Sequence, residues 1–220
     1  SGMVAAKTVD ATVLTFRHND ANHLENLINT HTFNRIIIAV EGIYSMSGDM
    51  LNRDIFEVAD RYNALLIVDE AHSVGVVGEN LRGVFDLFGI IPKDNHIKMG
   101  TLGKALGSYG AYILCSEHIA TFLCNRAKAI IYTTAPSLFD IALGYQSFLY
   151  ILKHKETLKE EIKKRQAIIF NTLGHTLSGM ICAHPLPSNK DALHLQQKLL
   201  EKGFLVGAIR QPTVSSPILR

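Results

Sequence analysis

Ala64-Leu65-Leu66-Ile67-Val68-Asp69-Glu70-Ala71-His72-Ser73 is the stretch on which the fold turns. Five apolar residues run straight into two acids, and a histidine follows. A short apolar run bounded by polar residues, rich in branched side chains, reads as a buried strand. The acids and the histidine then fall just beyond its carboxyl end.

Working outward, Asn34-Arg35-Ile36-Ile37-Ile38-Ala39-Val40 reads as a second buried strand. Between the two, Leu51 to Tyr62 reads as a helix with Ile55, Phe56, Val58 and Ala59 on one side. Downstream, His96 to Thr101 and Ala111 to Cys115 read as strands, Glu117 to Lys128 as a helix and Ala129 to Tyr132 as a strand. Strands joined by helices, with nearly continuous apolar runs, predict an α/β fold whose mostly parallel sheet is covered on both faces.

Past residue 136 the texture changes. Ser137 to Leu152 predicts an apolar helix, Lys155 to Leu173 a charged amphipathic helix with a solvated face, and Ala192 to Lys202 another helix before a strand at Phe204-Leu205-Val206. The expected organisation is a large domain over 1–147 and part of a smaller α/β domain over 148–220.

The bulk composition excludes several function classes. A chain of 220 residues with 47% hydrophobic and 19% charged residues is globular and long enough to bury a core. A formal net charge of +2 argues against nucleic acid as a partner. Cys115, Cys124 and Cys182 lack metal-ligand spacing and even pairing, so they are expected to be buried thiols in a reducing compartment, with no metal. No stretch approaches the ~20 apolar residues of a membrane span. The first residues lack a charged segment leading into an apolar one, so no secretory signal is expected and the cytoplasm is the expected compartment.

In open α/β sheets, ligands gather at the carboxyl ends of the strands. Three polar clusters are expected there: Glu41 to Ser45, Asp69 to Ser73, and Thr101-Leu102-Gly103-Lys104. Lys104 lies within Gly100-Thr-Leu-Gly-Lys-Ala-Leu-Gly107, where glycines permit close backbone approach. A lysine so placed is able to form a Schiff base in a desolvated pocket, although an isolated lysine on a turn is more often a surface residue. The spacing of a nucleotide phosphate loop is not met. Asp69 ends an otherwise apolar strand and needs a cation, which a protonated pyridine nitrogen would supply; capping of a following helix is the plainer reading. His72 reads either as a residue beside the same ring or as a structural histidine. Asp69-Glu-Ala-His72 also spells a helicase signature, but no upstream phosphate loop accompanies it.

Together these clusters resemble the α-oxoamine synthase family of pyridoxal-phosphate (PLP) enzymes. The resemblance rests on Val40-Glu-Gly-Ile-Tyr-Ser-Met-Ser-Gly-Asp49, Asp69-Glu-Ala-His-Ser-Val-Gly75 and Gly100-Thr-Leu-Gly-Lys-Ala-Leu-Gly107, in the family's order and spacing. Arg17-His-Asn-Asp20 and Ala208-Ile-Arg-Gln-Pro-Thr-Val214 extend it over essentially the whole chain. It implies the aspartate aminotransferase-like fold (fold type I), PLP as cofactor, and condensation of an amino acid with an acyl thioester (on coenzyme A or a carrier protein) with loss of CO2.

It also implies roles for particular residues. Lys104 matches the lysine that binds the cofactor covalently and Asp69 the partner of the ring nitrogen. His72 and Ser45 match contacts to the ring hydroxyl, and Thr101 a phosphate ligand. Thr133 or Thr134 matches a residue reaching the phosphate of a neighbouring subunit, which implies a homodimer with shared sites. Arg220 matches an arginine that holds the amino-acid carboxylate. A catalytically inactive partner subunit of the same fold is the alternative, and the presence of Lys104 argues against it.

The sequence departs from the family pattern as well. The glycine-rich phosphate turn and ring-stacking histidine that normally precede these motifs are not in it, and a strand expected before Ser188 is missing after His184-Pro-Leu-Pro187. The run from Val214 to Arg220 is short, with Ile218 where an arginine usually stands. These gaps imply segments of a longer protein, and the resemblance allows Ser1-Gly2 to be native sequence.

Overall fold

The computed structural model describes residues 5–8 and 10–220. The readings made at Ser1-Gly2, and part of those on a leader segment, lie outside the described residues. Contacts divide the chain into two compact units, one of Ser1–Gly42 with Leu51–Lys155 and one of Ile43–Met50 with Glu156–Arg220.

The first unit begins with helix α1, Ala21–Thr30. Asp20 caps it by accepting the His23 N–H at 2.8 Å, while the Arg17 N–H donates to the His23 ring at 2.7 Å. Strand β1 is Ile37–Glu41, helix α2 Asp54–Arg61, strand β2 Leu65–Asp69 and helix α3 Val84–Phe88. Strands β3, His96–Thr101, and β4, Ala111–Leu114, complete a sheet of order β1-β2-β3-β4. The first three strands are parallel, and β4 runs antiparallel to β3. Strands adjacent in sequence are adjacent in space, and crossovers of one hand stepping in one direction put their helices on one face.

Among the described residues these helices cover one face of the sheet. Ile38, Val40, Leu66 and Val68 face the core with Ile55, Phe56, Val84 and Phe85, all buried. The rings of Phe56 and Phe85 meet edge to face at 5.0 Å. On the opposite face Ile37 is 65% exposed, Ala39 is exposed, and Leu65 and Ile67 are half-buried.

Helices α4, Glu117–Arg126, α5, Lys128–Ile131, and α6, Leu138–Lys153, follow. The run Ala129 to Tyr132 was expected as a strand because of its β-branched pair, and the structure makes it helical. It is exposed, pairs with no strand among the described residues, and bonds locally: the Ile130 and Ile131 N–H groups donate to Ala127 O at 2.8 and 3.0 Å. Helix α6 runs through residues 147 and 148, where the sequence placed a domain boundary; that boundary is kept as a proposal.

The second unit contains helix α7, Lys155–Leu173, from Glu156 onward, then β5, His184–Pro185, helix α8, Asn189–Glu201, and strands β6, Ala208–Ile209, and β7, Ile218–Leu219. The three strands form an antiparallel sheet of order β5-β7-β6. Strand β5 is only two residues long and lies within His184–Pro187; no strand stands between it and Ser188. Phe204-Leu205-Val206 is not one: Gly203 ends α8 at φ +84°, the Phe204 N–H donates to Leu199 O at 2.9 Å, and Gln196 Nε2 donates to Val206 O at 2.7 Å. Those backbone groups are spent on the helix end, and pairing starts at Ala208.

None of the cysteines is buried as expected. Cys124 is exposed, on α4, which buries no residue, and Cys115 and Cys182 are partly buried; all three are free thiols. Among the described residues no helix is long and apolar enough to cross a membrane.

The loop before α3 is anchored by Asp86. Its carboxylate accepts from Asn80 N at 2.6 Å, Asn80 Nδ2 at 3.1 Å and Arg82 Nη2 at 3.0 Å. Burial works against its charge, but the bonds from Asn80 and Arg82 outweigh that and bring the carboxyl down to about 2. A depressed folded pKa stabilises the protein above the unfolded value of 3.8 and loses that contribution as the pH falls towards about 2. A shift of this size is worth about 2 kcal/mol. Acid titrations of folding should therefore show Asp86→Asn less stable at neutral pH yet losing less between pH 4 and 2 than wild type. Equal acid sensitivity would contradict this account.

Candidate active site

The ends of β1, β2 and β3 lie side by side, with Glu41 opposite Asp69 and Asp69 opposite Met99 in the two registers. The Gly42 N–H donates to Asp69 O and the Glu70 N–H to Met99 O, each at 2.7 Å. The chain then turns: the Ser73 and Val74 N–H groups both donate to Glu70 O at 3.1 Å, and the Ala71 N–H donates to Asp69 Oδ1 at 2.9 Å. This tight turn lifts His72 out of the strand direction. Asp69 thus caps a turn and not a helix, and no cation pairs with it among the described residues.

The segment after β3 is the other half of the site. Thr101 Oγ1 donates to Gly110 O at 3.0 Å and accepts the Gly103 N–H at 3.1 Å. The Leu102 N–H donates to Gly110 O at 2.9 Å, the Ser108 N–H to Leu102 O at 2.8 Å, and the Gly107 N–H to Lys104 O at 3.0 Å. These bonds fold residues 101–110 back on themselves, with Gly107 at φ +60°, and present Lys104 at the exposed tip. Ser108 Oγ donates to Asp140 O at 2.6 Å and ties the loop to α6.

The two halves meet. Lys104 Nζ lies 3.1 Å from His72 Nε2. An amine and an imidazole at hydrogen-bond distance can hold and pass a proton at the amine nitrogen.

Of the residues read from sequence, the structure brings Lys104 and His72 into contact and sets Asp69 and Thr101 at the ends of neighbouring strands. Thr133 and Thr134 lie in an exposed stretch after α5. Ser45 and Arg220 belong to the second unit. Ser45 sits in the turn closed by Tyr44 N to Asp49 O at 2.9 Å and Gly48 N to Tyr44 O at 2.8 Å. Arg220 exchanges backbone bonds with Gly207, 2.8 Å each way. Sequence reasoning gave no role to Glu70, whose full burial is the site's most unusual feature. The only signal was an acid inside a strand-end motif already assigned to its neighbours. No cluster of metal-ligating side chains occurs among the described residues.

Comparison with known proteins agrees with this geometry. The family signature of aminotransferase class I and II matches residues 3–220, and the chain belongs to that family. Within it, the chain is 46% identical to 8-amino-7-oxononanoate synthase of Helicobacter pylori, over 100% of its own length and 60% of that protein. It is 36% identical to the same enzyme of Saccharophagus degradans, over 90% and 52%. The chain thus spans 52–60% of the length of these curated relatives. Among solved structures, serine palmitoyltransferase from S. paucimobilis superposes with a TM-score of 0.89 at 24% identity, covering 98% of this chain and 56% of the other. The 8-amino-7-oxononanoate synthase of Francisella tularensis gives 0.76 at 29%, covering 99% and 64%. The former likeness shows the fold, in which this chain's sheet is mostly parallel.

Lys104 is the amine that the loop presents to His72. When the full-length protein is incubated with PLP and reduced with borohydride, peptide mapping should find the label on Lys104. A label on another lysine would overturn the assignment.

Proposed function

We propose that the full-length protein is a PLP-dependent acyltransferase that condenses L-alanine with a pimeloyl thioester, releasing CO2 and giving 8-amino-7-oxononanoate for biotin synthesis. The observation that carries the proposal is the 3.1 Å approach of the Lys104 amine to His72 beside the strand ends bearing Asp69. Support for the particular reaction comes from the relatives named above and from the Ala208–Val214 segment.

The residues present suit the cofactor. Asp69 is a partly buried carboxylate with no cationic partner among the described residues, as a protonated ring nitrogen requires. Lys104 is an amine at an exposed loop tip, and Thr101 offers a hydroxyl at the base of that loop. When bound, PLP supplies an electron sink for charge developing at the substrate Cα. Asp69 keeps the ring nitrogen protonated, and that maintains the sink. With PLP bound, the Lys104 amine would be placed to take the Cα proton as general base. His72 would orient the Lys104 amine, and His72 and Ser45 are the residues proposed for the ring hydroxyl of bound PLP. Arg220 binds the substrate carboxylate. The domain division 1–147 and 148–220 and a cytoplasmic location belong to the same proposal.

Assaying the full-length protein with alanine, glycine and serine against several acyl thioesters tests the substrate choice. Preference for glycine or serine would instead indicate 2-amino-3-ketobutyrate ligase, 5-aminolevulinate synthase or serine palmitoyltransferase chemistry. Asp69→Asn should retain PLP but slow proton exchange at the alanine Cα by orders of magnitude, a barrier increase on the order of several kcal/mol. Unchanged exchange would remove Asp69 from the mechanism.

Thr133 and Thr134 are proposed to serve the neighbouring subunit's phosphate in a homodimer. Mixing inactive Lys104→Ala with an inactive Thr133→Ala/Thr134→Ala variant at equal amounts should restore about a quarter of the per-site activity after random subunit exchange, because about half of the dimers are mixed and two-fold symmetry gives each one complete site. If exchange occurs and no activity returns, the threonines serve their own subunit.

A further inference from the structure

Glu70 has no part in the chemistry proposed above, yet it is 0% exposed, between two residues that do. Its carboxylate accepts from Ser73 Oγ, from Val84 N at 2.9 Å and from Phe85 N at 3.4 Å, and pairs with Lys98 Nζ at 3.4 Å. Its backbone oxygen takes the N–H groups of Ser73 and Val74. The turn that carries His72 is therefore held at Glu70 through main chain and side chain together. Lys98 lies on β3, the strand that leads into the Lys104 loop.

The surrounding chain leaves room for this one carboxylate. A side chain at Gly83, where φ is +95°, would run into it. A methyl at Gly42 would come within 2.9 Å of Glu70 Oε2 and 2.7 Å of Ser73 Oγ. A buried charge so enclosed cannot shift without losing several hydrogen bonds at once, so it resists displacement far more than an apolar contact would.

We propose that Glu70 is a positioning residue: its buried carboxylate fixes the segment from Asp69 to Ser73 against β3 and α3, and so holds His72 and Asp69 in register with the Lys104 amine. The inference rests on the site proposed above. A merely structural Glu70 would support folding but leave the relation between His72 and Lys104 unaffected when disturbed.

Three variants of the full-length protein separate these roles. Glu70→Gln removes the charge and keeps the shape. Gly42→Ala crowds Glu70 from the residue just after β1 without changing Glu70 itself, and keeps the test alive should Glu70→Gln not fold. Asp86→Asn is the control, since it loosens the same loop and helix away from residues 69–73. The first readout is the pH midpoint of the absorbance change of the covalent Lys104–PLP chromophore. In the folded variants Glu70→Gln and Gly42→Ala it should move by about one pH unit, the effect of displacing a hydrogen-bonded or charged neighbour. In Asp86→Asn it should stay, although that protein is also less stable. The second readout uses cofactor-free protein: the rate at which acetic anhydride labels Lys104, relative to the other lysines, should change several-fold in the same variants and not in the control. If wild type forms no chromophore at Lys104, the proposed function fails and the labelling alone judges Glu70. Unmoved midpoints with unchanged labelling, or equal changes in Asp86→Asn, would overturn the inference.

Discussion

A carboxylate buried without exposure at the end of a parallel strand sets the terms for the rest of the first unit. Moving a charge out of water costs several kcal/mol unless partners replace the solvent. For Glu70 those partners come from three places: its own turn through Ser73, the start of α3 through Val84 and Phe85, and β3 through Lys98. Each partner belongs to a segment that must be in place before the charge is satisfied. Satisfying it therefore brings together, in one event, the strand, the turn, the helix and the neighbouring strand.

The division of labour within Asp69-Glu-Ala-His72 follows from strand geometry. Successive side chains of a strand point to opposite sides, so Asp69 and Glu70 part company at once. Glu70 goes into the core, where Leu66 and Val68 also lie, while Asp69 remains partly accessible at the strand end. The tight turn after Glu70 then breaks the alternation and brings His72 to the Lys104 amine. Lys98 serves the buried side as well, with its ammonium 5.7 Å from the centre of the Phe85 ring.

Much of this was legible in the residues. The apolar runs located β1, β2 and β3 within a few positions, because burial in a parallel sheet demands continuous apolar stretches. The placement of three polar clusters at strand ends singled out Asp69, His72 and Lys104. What failed did so where local pattern and available partners disagree. Ile130 and Ile131 look like a strand, but a strand needs a neighbour and this segment has none among the described residues. Phe204 to Val206 has strand composition, but its backbone groups are already engaged by the end of α8. Helix α3 has only five residues, too few for a helical period to be seen in sequence.

The sequence by itself determined the α/β class and the positions of the strand ends, and it singled out Lys104 as the candidate lysine, since these depend on the order and type of residues along the chain. Only the tertiary structure decided which of two adjacent acids is buried, which face of the sheet is covered, and that an imidazole and an amine thirty-two positions apart stand 3.1 Å from one another. Those are properties of distance between segments far apart in sequence. They are fixed by strand register and by the need to satisfy a buried charge, neither of which leaves a local pattern to read.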